Sequence, residues 1–185
     1  MPDLFTSTAL ATPVLIFVSL QRLAELVYAR RNEARLRARG AREYAPEHYG
    51  LLVALHAAWL LGLWLIAAGT AVNLGWLLAF AALQALRVWV LVTLKERWTT
   101  RILVLPGAPL IRHGPYRLTS HPNYAIVTAE LFVLPMAFGL LAYALVFSLL
   151  NAGVLIIRIR AENRALRTIG GGDNGAATAV TRPGH

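Results

Sequence analysis

The fold is decided by residues 49–94, which read YGLLVALHAAWLLGLWLIAAGTAVNLGWLLAFAALQALRVWVLVTL. The stretch holds two apolar segments of about 20 residues each, the length at which a helix crosses the hydrocarbon core of a bilayer. A short uncharged turn, residues 69–73, separates the two segments. Residues 49–68 and 74–94 are therefore predicted to form an antiparallel pair of membrane-spanning helices.

Further apolar runs lie on both sides of this pair. Residues 4–28 predict a first helix, and residues 124–157 predict two short helices, because Pro135, Gly139 and Tyr143 interrupt that run. The chain is 57% hydrophobic, whereas an ordinary soluble domain is about 45–50% apolar. The prediction is an all-α integral membrane protein with about five transmembrane helices.

The distribution of positive charge predicts the orientation. The net charge is +9, and the arginines concentrate in residues 30–42, 95–117 and 158–167, while residues 69–73 and 139–143 carry no charge. Basic loops stay in the cytoplasm, so the N-terminus is expected outside and the C-terminus in the cytoplasm. The same pattern argues against nucleic-acid binding and places the three basic segments on one membrane face, where they can build one site.

Composition removes several kinds of chemistry. The chain has no cysteine, which excludes disulfides and thiolate catalysis, and no HExxH or similar spacing predicts a metal site. The first residues lack the basic region of a signal peptide, so the first apolar run is interpreted as a retained helix. Residues 1–168 are predicted to form one domain, and residues 169–185, rich in Gly, Ala and Thr, a disordered tail.

The polar segment before the fourth predicted helix carries the first candidate site. Residues 112–124 read RHGPYRLTSHPNY, in which Gly114 and Pro115 indicate a turn and Pro122 suits the first turn of a helix. His121 then precedes a helix N-terminus, where backbone donors favour an anion such as the carboxylate of an amino-acid cofactor. The alternative is an interfacial loop anchored by Tyr and Arg.

A second candidate site lies at the charged end of the last helix, where residues 158–166 read RIRAENRAL. Arg158 and Glu162 are four residues apart and therefore share one helix face. The alternative here is a surface ion pair at the point where the helix leaves the membrane.

Two charges, Arg87 and Glu130, fall deep inside predicted spans. Charge in a bilayer is costly and usually faces the protein interior with a partner. The two residues are expected either to pair with each other or to line a substrate pocket, and the sequence leaves both possibilities open. His56 is interpreted as an interhelical hydrogen-bonding residue and not as a ligand.

Together these elements resemble the isoprenylcysteine carboxyl methyltransferase family of membrane enzymes. That family has a Gly-x-Tyr turn, an Arg-His-Pro-x-Tyr element and a later Arg-Ile-x-x-Glu-Glu-x-x-Leu element. The matching residues here are Gly114-Pro115-Tyr116, His121-Pro122-Asn123-Tyr124, and Arg158-Ile159 with Glu162 and Leu166. The resemblance covers about residues 103–166. Ser120 stands where the family has Arg before His-Pro, and Asn163 stands where it has the second Glu.

The resemblance implies an S-adenosylmethionine site, mainly within residues 103–166 and open to the cytoplasm, in a transmembrane methyltransferase domain. Carried over by position, Arg158 and Glu162 would be catalytic, with Arg158 facing the methyl acceptor, while Arg87 and Glu130 are further candidates for the substrate pocket. The residues expected to line the cofactor site are Leu110, Ile111, Tyr116, His121, Pro122, Asn123, Tyr124 and Glu162. No Gly-x-Gly-x-x-Gly occurs, so this segment and not a doubly wound sheet would hold the cofactor.

The expected acceptor is a lipophilic or lipidated molecule that enters from the membrane lipids of a bacterial plasma membrane. A carboxylate has a pKa near 4 and is ionised at pH 7, whereas a phenol, with a pKa near 10, needs a base. No base stands out, so the expected acceptor is a carboxylate or an acidic hydroxyl that arrives as an anion or whose anion Arg158 stabilises. Residues 93–107 resemble the bacterial branch of the family, which acts on alkylated polyketide pyrones or phenols.

Two other classes of function remain as alternatives. Membrane steroid and enone reductases that use NADPH also carry His-Pro-x-Tyr, followed closely by Gly-Glu, whereas Tyr124 is followed here by Ala125 and Ile126. A non-catalytic membrane scaffold is the third possibility, but it would not require the polar residues of the two elements on one face.

Overall fold

The structure is a computed structural model that describes residues 6–109 and 111–177. Five helices form most of it: α1 (Ala11–Ala38), α2 (Tyr49–Ala67), α3 (Leu74–Leu94), α4 (Pro122–Ala137) and α5 (Leu141–Ala177). Four short strands accompany them: β1 (Thr6–Ser7), β2 (Arg42–Tyr44), β3 (Val72–Asn73) and β4 (Ile102–Val104). The described chain is mostly helical, as predicted, and its two small strand pairs were not expected from the sequence.

Four of the helices suit a membrane. Among the described residues, α1, α2, α3 and α5 are long and apolar enough to cross a bilayer. The 16 residues of α4 make a helix of about 24 Å, shorter than the roughly 30 Å of a bilayer core. Leu65 and Leu78 are 85% and 72% exposed on the outside of the bundle, which hydrocarbon tolerates and water does not. The chain is therefore an integral membrane protein with four candidate spans, where about five were expected.

The centre of the bundle is a tightly packed apolar cluster. Helix α4 lies between α3 and α5, and its Leu131 and Leu134 are fully buried against Trp59 and Leu63 of α2 and Leu15 of α1. Lipid tails are as apolar as leucine, so such a cluster stabilises a membrane bundle through van der Waals packing and not through escape from solvent.

One close approach between α2 and α5 depends on a glycine. The Tyr143 hydroxyl donates a hydrogen bond to the Trp59 carbonyl at 2.6 Å, and a Cβ atom on Gly62 would collide with that hydroxyl. Small residues at helix interfaces allow such approaches in membranes. This contact ties the beginning of α5 to the middle of α2.

The predicted break between the last two helices is confirmed. Gly139 has a φ of 71°, and the N–H groups of Gly139 and Leu140 donate to the carbonyls of Met136 and Pro135 at 3.0 Å each. This is a Schellman ending, in which a glycine takes the left-handed conformation and satisfies the last carbonyls of the helix. The chain therefore reverses direction within three residues, and α4 and α5 pack side by side.

The strands tie the ends of the bundle together. β1 pairs with β3 at one end, and β2 pairs with β4 at the other, with Arg42 opposite Val104 and Tyr44 opposite Ile102. The second pair brings the end of the basic segment 30–42 to the segment after α3. The latter segment also contacts α5, because Arg158 donates to the Thr100 carbonyl. The three basic segments thus meet at one end of the molecule, called the polar end below.

Two helices have boundaries that differ from the prediction. Helix α1 begins at Ala11, not near residue 4, and continues to Ala38 through the basic segment, because Arg, Glu, Ala and Leu are all good helix formers. Helix α5 continues to Ala177, past its predicted end near Arg167 and into the predicted disordered tail. Residues 178–185 of that tail lie outside the described residues.

Candidate active site

A cavity of about 1210 Å³ runs from the polar end into the bundle. Its walls come from all five helices and from the segment between α3 and α4. Polar residues surround its outer part, while Leu52, Leu60, Val127 and Leu155 contribute apolar wall farther along. Leu23 of α1 and Val53 of α2 line the cavity and are also 60% and 45% exposed. These exposed apolar side chains give the part of the cavity wall formed by α1 and α2 a surface that suits lipid.

Tyr124 connects the two sequence elements that were predicted to share a site. It lies in the first turn of α4, and its hydroxyl donates to Oε2 of Glu162 at 2.6 Å and accepts from Nε of Arg158 at 3.0 Å. Arg158 and Glu162 are one turn apart on the same face of α5, as their spacing predicted. All three residues line the cavity.

The start of α4 adds further polar groups. His121 precedes the helix, with its ring stacked on Tyr124 at a centroid distance of 5.3 Å and its Nδ1 3.8 Å from Oε2 of Glu162. Pro122 is the first helical residue, as predicted, and is buried. The next residue, Asn123, lines the cavity, and its Oδ1 is buried without a hydrogen-bond partner in the structure. A buried acceptor without a partner is costly, and a ligand donor could reach this oxygen only after rotation of the Asn123 side chain.

The segment 95–101 is held by the unexpected extension of α1. Asn32 donates to the Trp98 carbonyl at 2.9 Å, and Oε1 of Glu33 accepts from the Thr100 hydroxyl at 3.1 Å. The same hydroxyl lies 3.2 Å from the Tyr49 hydroxyl at the start of α2. Because Arg158 donates to the Thr100 carbonyl, α1 and α2 help to fix the position of the Arg158 side chain.

Arg101 and Glu43 reinforce the same region. Arg101 donates to Glu43 at 2.6 Å, and its guanidinium lies 4.0 Å above the Tyr49 ring. Burial opposes ionisation of the Glu43 carboxyl, but hydrogen bonds from Arg101 and Arg37 outweigh it and lower its pKa. The hydrogen bond to Glu43 likewise raises the pKa of Arg101 against partial burial. Both groups therefore stay charged near neutral pH. The ion pair between Glu43 of β2 and Arg101, just before β4, is retained.

Tyr116 sits in the 3-10 turn Gly114–Arg117 and lines the cavity. Burial, and after it the negative charge of Glu162, raises the pKa of Tyr116 to about 12. The phenol therefore stays neutral in the physiological range. Gly114 has a φ of 59°, and a Cβ there would lie 2.6 Å from the Thr93 hydroxyl oxygen. Glycine thus permits the close approach that fixes this turn against α3.

A buried ion network lies farther inside the bundle. Arg87 donates to both oxygens of Glu130, and its Nη1 donates to Glu25 at 3.0 Å. Arg22 donates to Glu130 at 2.7 Å and to Glu25 at 3.0 Å. Gln84 also donates to Glu130, at 2.9 Å. Of the two possibilities that the sequence left open, the structure shows that Arg87 pairs with Glu130, and Arg22 and Glu25 of α1 join the network.

The two residues of that pair differ in their access to the cavity. Arg87 lines it, together with Arg22 and Glu25. Glu130 is fully buried and is not among the described residues that line the cavity. The expectation that Glu130 contacts substrate is therefore replaced by a role in holding the two arginines.

His56 also lines the cavity. Its Nδ1 lies 2.8 Å from the carbonyl of Leu52, one turn earlier on the same helix. The predicted hydrogen bond to another helix is therefore wrong, because α2 itself supplies the partner.

Most of the predicted site residues converge on one cavity. Among the residues that the structure describes, those lining it are Ile111, Tyr116, His121, Asn123, Tyr124, Glu162, Arg158 and Arg87. Leu110 lies outside the described residues. Tyr49, Trp98 and Thr100 also line the cavity and were not predicted. No local sequence pattern identifies these three residues as site residues. They are positioned by contacts distant in sequence, namely the pairing of β2 with β4 and the contacts of the extended α1.

The fold and the cavity together define an integral membrane protein whose cavity is lined by both charged and apolar residues. Residues 76–168 match the isoprenylcysteine carboxyl methyltransferase (ICMT) family. The uncharacterized protein YpbQ of Bacillus subtilis (strain 168) is 38% identical over 155 residues, covering 80% of this chain and 91% of that protein. No solved structure matches the chain. The chain belongs to the ICMT family, whose members are membrane methyltransferases that use S-adenosylmethionine.

Proposed function

We propose that the protein is an S-adenosylmethionine-dependent O-methyltransferase that methylates a carboxylate or acidic hydroxyl on a lipophilic acceptor at the cytoplasmic face of a bacterial plasma membrane. The observation that carries this proposal is the bridge formed by Tyr124 between Arg158 and Glu162. It puts one fixed cation and one carboxylate on the wall of the same cavity, which also has apolar lining residues.

The residues at the polar end fit the cofactor. S-adenosylmethionine carries an ammonium group and ribose hydroxyls, all hydrogen-bond donors, the Glu162 carboxylate is an acceptor on the cavity wall, and the side chain of Asn123 also lines the cavity. His121 and the helix N-terminus that follows it suit the cofactor carboxylate. We assign Ile111 and Tyr116 to the same site, and Pro122 to placing Asn123 and not to direct contact. The family resemblance extends this site to Leu110.

Arg158 is assigned to the acceptor. Its Nε and Nη2 are occupied by Tyr124 and Thr100, and its Nη1 has no hydrogen-bond partner among the described residues. Because two nitrogens of the guanidinium are held, the third nitrogen, Nη1, points in a fixed direction. This reduces the entropy cost of aligning the acceptor oxygen. Attraction to the cation also favours the acceptor anion, the form that can attack a methyl group.

When bound, the cofactor supplies a methyl group already activated by its sulfonium. The acceptor oxygen forms a bond to that carbon, the carbon–sulfur bond breaks, and its electron pair goes to sulfur. An acceptor that arrives as an anion therefore needs no proton transfer to the protein. The tasks left to the chain are alignment of the two reactants and exclusion of water.

The proposed orientation follows from the polar end. The basic segments 30–42 and 95–117 meet there, and such segments favour the cytoplasm. The N-terminus would then lie outside. YpbQ comes from a bacterium, which supports a bacterial plasma membrane. A lipophilic acceptor would enter between Leu23 and Val53 and would not need to leave the lipid.

The experiment that tests this function is calorimetric titration of the detergent-purified protein with S-adenosylhomocysteine, and in parallel with NADPH. We expect saturable binding of S-adenosylhomocysteine only. Methyl transfer from labelled cofactor is then measured to N-acetyl-S-farnesylcysteine, an alkylated hydroxypyrone and an alkylphenol, and transfer to at least one acceptor is expected. Binding of NADPH alone would indicate a reductase, and binding of neither would favour a scaffold.

Replacing Arg158 with lysine is expected to lower the turnover number about tenfold while changing the affinity for S-adenosylhomocysteine by less than about twofold. Lysine keeps the charge but cannot hold Tyr124 and Thr100 while also contacting an acceptor. The measurement is methyl transfer under saturating cofactor, with Arg160→Lys on the same helix as the control. An equal loss of cofactor affinity and turnover would contradict the assignment of Arg158 to the acceptor.

A further inference from the structure

Glu33 is a charged residue that the proposed reaction does not use and that the protein nevertheless buries. It lies on the part of α1 that continues past the predicted end of that helix, and it is 8% exposed. It is not among the described residues that line the cavity, so it is not placed to touch a ligand there. Burying a carboxylate is costly unless its partners compensate, and its partners therefore indicate what it does.

Among the described residues, the closest polar contact of the Glu33 side chain is the hydroxyl of Thr100. Oε1 of Glu33 accepts from that hydroxyl at 3.1 Å, whereas Oε2 lies 3.6 Å from Nε of Arg101. Arg101 has a closer carboxylate in Glu43, at 2.6 Å. The charge of Arg101 is therefore already compensated by Glu43, and the contact particular to Glu33 is the one with Thr100.

The Glu33 carboxylate also sets the direction of a second hydrogen bond. A carboxylate can only accept, so the single proton of the Thr100 hydroxyl points to Glu33. The Tyr49 hydroxyl, 3.2 Å from the Thr100 hydroxyl oxygen, is then the donor of that pair. The Thr100 side chain is thus held from α1 and from α2 through one oxygen atom.

The backbone of the same threonine holds Arg158. Nη2 of Arg158 donates to the Thr100 carbonyl, and Thr100 lies between the 3-10 turn Lys95–Arg97 and β4, in neither a helix nor a strand. A carbonyl in such a segment has no regular series of backbone hydrogen bonds to fix its direction. The side-chain contacts of Thr100 supply this restraint, and a displaced carbonyl would turn the guanidinium of Arg158.

We propose that Glu33 is a positioning residue for methyl transfer, which acts on Arg158 through Thr100. Its part in the reaction rests on the proposed function. Glu33 and Tyr49 precede residues 76–168, the part of the chain that matches the family, so that match assigns no role to either. Without the carboxylate the Thr100 side chain is released, its carbonyl shifts, and Arg158 no longer aligns the methyl acceptor. The arginine assigned to the acceptor is therefore controlled from the N-terminal half of the chain.

Four variants separate this contact from its surroundings. Glu33→Ala removes the acceptor of the Thr100 hydroxyl, and Glu33→Gln keeps an oxygen for it. Thr100→Val removes the hydroxyl but retains the shape and the backbone carbonyl, and Arg101 remains a partner for the Glu33 carboxylate. Glu96→Ala is the control, because it removes a nearby carboxylate whose ion pairs are more than half exposed.

The first measurement follows Arg158 without any reaction. In protein labelled with ¹⁵N-arginine in detergent micelles, NMR records the Nε–H resonances of ordered arginines, and Arg158→Lys identifies the one that belongs to Arg158. That resonance is expected to shift or broaden in Glu33→Ala and in Thr100→Val, and to stay in place in Glu33→Gln and Glu96→Ala. In the Glu33 and Thr100 variants the other arginine resonances should stay in place, apart from that of Arg101, which lies beside Glu33.

The second measurement is methyl transfer at saturating cofactor. The acceptor is whichever of N-acetyl-S-farnesylcysteine, an alkylated hydroxypyrone and an alkylphenol the wild type methylates fastest. Glu33→Ala is expected to lower the turnover number about tenfold, because a displaced cation aligns the acceptor poorly, while Glu33→Gln retains most of it. The affinity for S-adenosylhomocysteine should not change. Combined with Arg158→Lys, Glu33→Ala should add no further loss, because a residue that acts through Arg158 then has nothing to position.

Each outcome decides the role of Glu33. An unmoved Arg158 resonance in Glu33→Ala or Thr100→Val, a shift of most arginine resonances, undiminished turnover in Glu33→Ala, or a multiplied loss of about 100-fold in the double variant would overturn it. If Glu33→Ala does not bind S-adenosylhomocysteine although the wild type does, Thr100→Val decides. If the wild type methylates none of the three acceptors, the proposed function fails, and the Arg158 resonance alone decides whether Glu33 positions Arg158.

Discussion

Replacing Glu162 with alanine is expected to weaken binding of S-adenosylhomocysteine about 100-fold, because charge-assisted hydrogen bonds contribute about 1.5–3 kcal/mol each. The Glu162 carboxylate accepts from Tyr124 at 2.6 Å and lies 3.8 Å from the His121 ring. The variant removes the acceptor offered to the cofactor and also leaves the Tyr124 hydroxyl without its acceptor. Calorimetric titration measures the loss.

Two controls make this result specific. Glu162→Gln keeps an oxygen for Tyr124 but loses the charge, so we expect an intermediate loss of about tenfold. Glu96→Ala removes a carboxylate whose ion pairs with Arg35 and Arg39 are more than half exposed, and it should leave binding unchanged. If Glu162→Ala binds within threefold of the wild type, Glu162 does not belong to the cofactor site.

Replacing Glu130 with alanine is expected to lower the free energy of unfolding by about 3–5 kcal/mol, because removing one partner of a buried ion pair leaves an uncompensated charge. Glu130 accepts from Arg22, Gln84 and Arg87 and is fully buried. The free energy of unfolding is measured by titration with sodium dodecyl sulfate in mixed micelles. Glu96→Ala is again the control, with an expected change below about 1 kcal/mol for an exposed pair.

A double-mutant cycle tests whether the loss arises from the network. Glu130→Ala and Arg87→Ala together should cost less than the sum of the two single changes, with a coupling of about 1–3 kcal/mol. Additive effects would show that the two side chains do not stabilise each other in the membrane protein.

Local sequence patterns predicted the apolar helices well. Helix α3 covers residues 74–94, as expected. An apolar run between Asn73 and a charged segment leaves few other positions at which the helix can begin and end. Asn73 also caps that helix by accepting from the Trp76 N–H at 3.2 Å. The one-turn spacing of Arg158 and Glu162 likewise predicted their common face.

Long-range contacts account for what the sequence did not predict. The first helix was expected to end at residue 28, which would put Arg22 and Glu25 within its last two turns. The helix continues to Ala38, which moves both residues deeper, beside Arg87. Thr100 was missed for a related reason, since its partners Glu33, Tyr49 and Arg158 lie on three different helices and no local period relates them.

The shortness of α4 has a consequence for where the polar end sits in the bilayer. At about 24 Å, α4 is roughly 6 Å shorter than a bilayer core is thick, while its neighbour α1, with 28 residues, is about 42 Å long. Helix α4 therefore cannot reach both surfaces of the hydrocarbon core, and its first turn carries Asn123 and Tyr124. With hydrophobic mismatch of this kind, a membrane-anchored molecule can meet polar side chains of the protein without changing the depth of its tail in the bilayer.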